Sequence, residues 1–265
     1  MTKKILFIHG MWSGSWVWDK YTDFFTQKGY DCDAYTLAYH NVSPNDQPDK
    51  HLGTISLLDY AEELETYIRK NYDSNPILIG HSLGGLLAQI LGARCMANRL
   101  VLVAPGAPAG VPSLTFSAFR SIFWAFTKWG FWRKPHRPPF RAVVYFLLNL
   151  VPPEEHKDVY NQLVYESGRA LWEVGFPFLD QAKAAYVDES KIDCPVLIIS
   201  GKDDRIASAL VIKKIAYKYK RIATYKNYEN HTHWLISEPG WKIIADDIDN
   251  WLRLKPGNTP RTELK

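Results

Sequence analysis

Short uninterrupted apolar runs alternate with segments whose apolar positions recur every three to four residues through the first half of the chain. The first kind suits a strand buried on both faces of a parallel sheet, and the second an amphipathic helix packed against it. Residues 4–8 (Lys-Ile-Leu-Phe-Ile) predict a first strand, residues 16–27 a helix closed by Gly29, and residues 31–36 a second strand. After a polar loop containing Pro44 and Pro48, Leu58, Ala61, Leu64 and Ile68 mark one face of a helix over 55–70. Residues 76–80 and 100–104 predict two more strands on either side of a helix over 83–94. Strand patterning returns at 195–200 and 221–225, with helices over 208–219 and 240–252. Alternation of this kind predicts an α/β fold, a mostly parallel sheet flanked by helices.

The alternation breaks after Pro105. Residues 107–188 are aromatic, basic and partly helical, with Phe116, Phe119, Phe123, Trp124, Phe126, Trp129, Phe131 and Trp132 close together. They read as an insertion into a core made of residues 1–106 and 189–254, and residues 255–265 as a polar tail expected to fray.

Composition narrows the class. Of 265 residues, 46% are hydrophobic and 23% charged, which is ordinary globular usage. The net charge of +4 falls short of a nucleic-acid binder's basic footprint, although Lys128, Arg133, Lys134, His136, Arg137 and Arg141 concentrate in one segment. A solvated face is the ordinary reading of such a cluster; an anionic-substrate site and a membrane-surface contact are the alternatives. The apolar start at residues 5–8 is too short for a signal-peptide core, and the longest later candidate for a span, residues 142–151, contains Asn149 and stops at Pro152. Cys32, Cys95 and Cys194 show no metal or disulfide spacing, so they are expected to be small buried residues of a reducing compartment. Cytoplasmic location and a monomer or homodimer are the resulting expectations.

The sharpest chemical signal is Ile77-Leu78-Ile79-Gly80-His81-Ser82-Leu83-Gly84-Gly85, a GxSxG motif between a predicted strand and a predicted helix. A tight strand-to-helix turn forces the serine into a strained conformation, and glycines are needed at 80 and 84 where side chains would meet neighbouring backbone. The turn also sets Ser82 at a helix N-terminus, where free N–H groups favour developing negative charge.

With this motif the chain resembles the α/β-hydrolase superfamily from its first strand to its last helix. The resemblance implies Ser82 as nucleophile, with an oxyanion hole from the backbone N–H groups of Leu83, after the serine, and Met11, after His9-Gly10. It also implies the chain order serine, acid, histidine. Ser200-Gly201-Lys202-Asp203-Asp204 is similar to the family's Gly-x-x-Asp segment, which selects Asp204 over Asp203. In Glu229-Asn230-His231-Thr232-His233-Trp234-Leu235-Ile236-Ser237-Glu238-Pro239, counting back from Glu238-Pro239 selects His233 as base over His231. Thr232 stands where the family usually has glycine. His81 and His9 are expected to pack or hydrogen-bond rather than react.

The insertion is similar to the family's helical cap, inserted after the strand that follows the nucleophile helix. Its aromatics imply an apolar chamber over Ser82, with Trp12, Phe123 and Trp129 as candidate substrate-binding residues; alternatively they form only the cap's own core. The implied activity is hydrolysis of a carboxylic ester or related acyl bond of a small, largely apolar molecule, without metal or organic cofactor. A serine at the nucleophile position argues against a haloalkane dehalogenase. The Trp-rich loop 11–18 is similar to that of plant-type esterases and hydroxynitrile lyases, so a lyase is the enzymatic alternative and a ligand receptor without turnover the non-enzymatic one.

Overall fold

The computed structural model describes residues 3–255 and Thr259. The tail expected to fray therefore lies almost wholly outside the described residues. A six-stranded sheet is built from β1 (Lys4–Ile8), β2 (Asp31–Tyr35), β3 (Ile77–His81), β4 (Arg99–Val103), β7 (Val196–Gly201) and β8 (Ala223–Tyr228), in the order β2-β1-β3-β4-β7-β8. Every neighbouring pair is parallel. Helices α1 (Asp19–Gln27), α2 (Leu57–Asn71), α3 (Leu83–Ala93), α8 (Ala209–Lys218) and α9 (Trp241–Arg253) flank it.

Strand alternation decides which helices cover which face. Ile5 and Phe7 pack with residues of α1 and α9, whereas Leu6 and Ile8 pack with α2 and α3. The strands β3, β4 and β7 are buried along their whole length because both faces are covered, which is why their central residues are uninterruptedly apolar. Boundaries move by up to three residues from the sequence reading; the last strand shifts most, to Ala223–Tyr228, since its second half is a partly buried edge of mixed polarity.

Between β4 and β7 the chain forms α4 (Phe116–Phe126), α5 (Phe140–Phe146), α6 (His156–Gln162) and α7 (Gly168–Gly175). A two-residue ribbon, β5 (Pro135–His136) with β6 (Glu166–Ser167), ties the two halves of this segment together. Buried polar groups fasten it to the sheet domain. Glu166 accepts from the Tyr60 hydroxyl at 2.8 Å and meets His40 Nε2 at 3.1 Å, while Glu173 accepts from the Leu57 N–H and the Ser56 hydroxyl at the start of α2, both at 2.8 Å.

The expectation for the cysteines is corrected at two of three positions. Cys194 is buried, but Cys32 is half-buried because β2 is an edge strand, and Cys95 is exposed in the reversal after α3, at φ +59°. Among the described residues no helix is long and apolar enough to cross a membrane.

Candidate active site

The strand order reverses between β1 and β3: the chain leaves β1 toward β2 and returns on the opposite side. In open α/β sheets the crevice beyond the carboxyl ends of such strands is where ligands bind. Here the ends of β1 and β3 deliver Gly10-Met11 and Ser82 to one place.

Ser82 follows β3 directly, at φ +53°, ψ −117°, a region that residues with side chains rarely enter. The strain is held from several directions. The Ser82 N–H donates to Val103 O at 3.1 Å, and the Ser82 carbonyl accepts from Gly106 N at 2.7 Å and Gly85 N at 3.0 Å. Only glycine fits at the two flanking positions: a Cβ on Gly80 would stand 2.3 Å from Gly84 O, and one on Gly84 2.2 Å from Ile8 O. The second distance shows that α3 must approach the end of β1 to bring the turn beside the Gly10-Met11 loop.

His233 Nε2 lies 2.9 Å from Ser82 Oγ, and its Nδ1 lies 2.7 Å from Asp204 Oδ2. The other Asp204 oxygen accepts from the N–H groups of Ile206 and Ala207, each at 2.8 Å. A carboxylate fixed in this way presents one oxygen to Nδ1–H, leaving Nε2 with its lone pair toward the serine. Asp203, by contrast, is exposed and takes part through its backbone N–H, which donates to His231 O at 2.9 Å.

The histidine loop is organised by Glu238, which sequence reasoning used only to count from. Its buried carboxylate accepts from Thr232 N at 2.8 Å and from the Thr232 hydroxyl at 2.5 Å, and His231 Nδ1 lies 2.9 Å from it. Thr232, where the family pattern has glycine, thus supplies a second bond to Glu238. His231 is turned into this knot, away from Ser82. Gly201, the glycine of the Gly-x-x-Asp segment, has a spatial reason that the sequence does not show: a Cβ there would come within 2.4 Å of the carbonyl oxygens of His231 and Thr232, so the Asp204 and His233 loops can close together only over glycine.

Two further histidines are buried and neutral. Burial, then the neighbouring His40, push His9 down to about 3. Its Nε2 accepts from Leu37 N–H at 3.1 Å and its Nδ1–H donates to Gly10 O at 2.8 Å, which shapes the loop ahead of Met11. Burial and the proximity of His233 hold His81 well below the ordinary histidine range, and its Nε2–H donates to the His233 carbonyl at 2.8 Å.

The pocket over Ser82 encloses about 110 Å³ and is lined by Met11, Trp12, Leu83, Ala118, Ile122, Phe146, Leu171, Val174 and Val211 among others, with no carboxylate, lysine or arginine. Met11 and Leu83 flank the serine on this lining, and Leu83 carries the first N–H of α3, which a helix leaves without an internal acceptor. Of the three residues named from the sequence, Trp12 lines this pocket, and Phe123 and Trp129 do not. Phe123 is 51% exposed and Trp129 88%, and neither lines the pocket. On α4 the inward positions are Ala118 and Ile122, and a shift of one residue turns a side chain by about 100°. Phe119 and Phe123 therefore face outward.

Residues 5–241 match the α/β-hydrolase family. The chain is an α/β-hydrolase. Protein ABHD8 of Bos taurus is 24% identical over 143 residues, which cover 49% of this hydrolase and 32% of that protein. The hydrolase thus spans about a third of the length of this curated relative. Among solved structures, the methylesterase MES16 from Arabidopsis superposes with a TM-score of 0.69 at 14% identity, covering 96% of this chain and 100% of that one. The monoacylglycerol lipase of Paleococcus ferrophilus gives 0.67 at 19% identity, covering 95% of each chain. At these identities the likeness is one of fold.

Proposed function

We propose that this hydrolase cleaves a carboxylic ester or related acyl bond of a small, largely apolar molecule through an acyl-enzyme. The observation that carries the reading is the continuous hydrogen-bonded array Ser82–His233–Asp204 opening into a pocket whose described lining holds no carboxylate, lysine or arginine. Ser82 Oγ attacks the acyl carbon as His233 Nε2 takes its proton, and Asp204 holds the imidazole in the required tautomer and stabilises the imidazolium. The N–H groups of Met11 and Leu83 receive the oxyanion, assisted by the N-terminus of α3. The leaving alcohol takes the proton from His233. Water, deprotonated by the same ring, then attacks the acyl carbon, releasing the acid and restoring the serine.

The cavity argues for a small acyl group. Its 110 Å³ is somewhat less than the roughly 150 Å³ of an apolar cavity that accommodates benzene. Fluorophosphonate labelling followed by turnover of esters of graded acyl length tests the reading. Labelling at Ser82 with turnover of short acyl or small aromatic esters is expected; a folded Ser82→Ala variant that still labels, or a wild-type protein that binds esters without cleaving them, overturns it.

A further inference from the structure

The helix α4 is amphipathic in the reverse of the usual sense. Its buried positions are mostly small, Ala118, Ser121 and Ala125 together with Ile122, while Phe116 is 83%, Phe119 39% and Phe123 51% exposed. Phe119 and Phe123 belong to a connected set of rings. Phe119 lies 5.4 Å from Phe123 and 6.3 Å from Phe126, Phe126 lies 5.3 Å from Phe176, and Phe176 6.4 Å from Phe178, which is 79% exposed. One contiguous aromatic face results, of the kind a soluble surface seldom carries without a partner.

The same segment is cationic throughout. Residues 107–153 contain no Asp or Glu. Arg120, Lys128, Arg133, Lys134 and Arg141 are all exposed there. Arg120 stacks on Tyr145 and Lys134 reaches the Trp129 carbonyl, whereas cations elsewhere, such as Arg94 and Lys202, pair with carboxylates. Trp129, 88% exposed, sits within this basic stretch. Finally, the pocket meets this face: Leu114 both lines the pocket and is 53% exposed, two residues before Phe116.

We infer that the outer face of α4, with Phe178 and the adjoining cations, docks on an anionic lipid bilayer, and that acyl substrate enters the pocket past Leu114 from that surface. Aromatic rings beside lysine and arginine match the two components of an interfacial site, apolar insertion and attraction to anionic headgroups. A segment with five exposed cations and no carboxylate of its own favours an anionic bilayer over a protein face of mixed charge. The substrate part of the inference rests on the acyl-hydrolase reading; the docking part does not.

Vesicle co-sedimentation tests it, using phosphatidylcholine alone and phosphatidylcholine mixed with phosphatidylglycerol. The wild-type protein is expected to sediment with the anionic vesicles, less with the neutral ones, and less as salt rises. Phe116→Ser with Phe178→Ser should weaken binding by about tenfold or more, and Lys128→Gln and Arg133→Gln by roughly fivefold per cation. Phe116→Trp should retain binding. All these variants should hydrolyse a soluble short-chain ester as the wild type does, which separates loss of docking from loss of folding. Equal binding by the double Phe variant, or no binding to any vesicle, overturns the inference. Self-association abolished by Phe116→Ser with Phe178→Ser, without vesicle binding, also overturns it and assigns the face to a second copy of the chain. Vesicle binding by a wild-type protein that cleaves no ester sustains docking and removes the hydrolase reading instead.

Discussion

His81 donates its Nε2–H to the backbone carbonyl of His233 at 2.8 Å. The bond joins the residue preceding Ser82 to the main chain of the residue hydrogen-bonded to Ser82, two points 152 positions apart in sequence. Ser82 and His233 are thereby placed by one another's supports, because the turn that strains the serine also anchors the histidine loop. Burial keeps His81 neutral, so it has a single ring proton to give, and that proton is committed to the carbonyl.

A first prediction follows for His81. Removing the donor in His81→Leu should lower kcat about tenfold with little effect on KM, since the loss is of geometry rather than of substrate contact. His81→Gln, whose amide nitrogen can occupy the Nε2 position, should recover most of the rate. Steady-state kinetics on a soluble ester reads both; equal impairment of the two variants would assign His81 to packing alone.

The two candidate pairs from the sequence separate by geometry. Asp204→Asn should reduce kcat by roughly three to four orders of magnitude, because an amide favours the wrong imidazole tautomer. Asp203→Asn should stay within about twofold of wild type, its side chain being exposed while its backbone N–H bonds the His231 carbonyl and its own carbonyl accepts from Asn149 Nδ2. Comparable damage from Asp203→Asn would reverse the assignment.

Thr232 and Glu238 make a stability prediction. Thr232→Val keeps the shape but withdraws the hydroxyl from a carboxylate that is 1% exposed, leaving a buried charge short of one donor. The expected cost is about 1–3 kcal/mol in urea unfolding. An unchanged midpoint would show that the backbone N–H of Thr232 and the ring of His231 satisfy Glu238 by themselves.

Ile122 and Phe123 are neighbours on α4 with opposite outlooks. Ile122→Ala enlarges the pocket and should move the preferred acyl length upward, with each further methylene accommodated improving kcat/KM by roughly fourfold. Phe123→Ala should leave the chain-length profile on soluble esters where it is. A profile that shifts in Phe123→Ala and not in Ile122→Ala would reverse the orientation of the helix.

The pair His40–Glu166, buried where the inserted segment meets the sheet domain, predicts a pH window. Burial opposes the charge on both, yet Glu166 and the Ala38 carbonyl hold His40 above the ordinary histidine value, and His40 and hydrogen bonds hold Glu166 below the ordinary carboxylate range. The raised histidine contributes fully below about pH 6.5 and loses its contribution as pH rises through the folded value. The lowered carboxylate contributes fully above about pH 4.3 and loses it as pH falls through its folded value. Unfolding by urea should therefore show Glu166→Gln most destabilised, by roughly 3 kcal/mol, near pH 5.5, with a smaller deficit near pH 8.5. A deficit independent of pH would mean that the pair acts as neutral hydrogen-bonded groups.

The sequence by itself determined the parts of this protein whose physics is local. Short apolar runs at 77–79 and 196–199 between turn signals suit strands buried on both faces, and Gly80-His81-Ser82-Leu83-Gly84 makes its turn as a strained serine between two close backbone approaches. The family pattern then distinguished Asp204 from Asp203 and His233 from His231, because register within a short loop is a matter of counting. Tertiary structure alone decided what depends on contacts between distant segments. Nothing in the spacing of the chain joins Glu166 to His40, or clears Gly201 for the carbonyls of His231 and Thr232. It also decided which side of α4 faces the pocket over Ser82. Apolar residues surround that helix, so periodicity could not rank its faces, and the expectation that large rings point inward failed at Phe123 and Trp129. The side of α4 turned inward is the one built from Ala118, Ser121, Ile122 and Ala125, mostly small side chains that let a helix pack closely, two of which line the pocket over Ser82, and the rings are left on the outer surface.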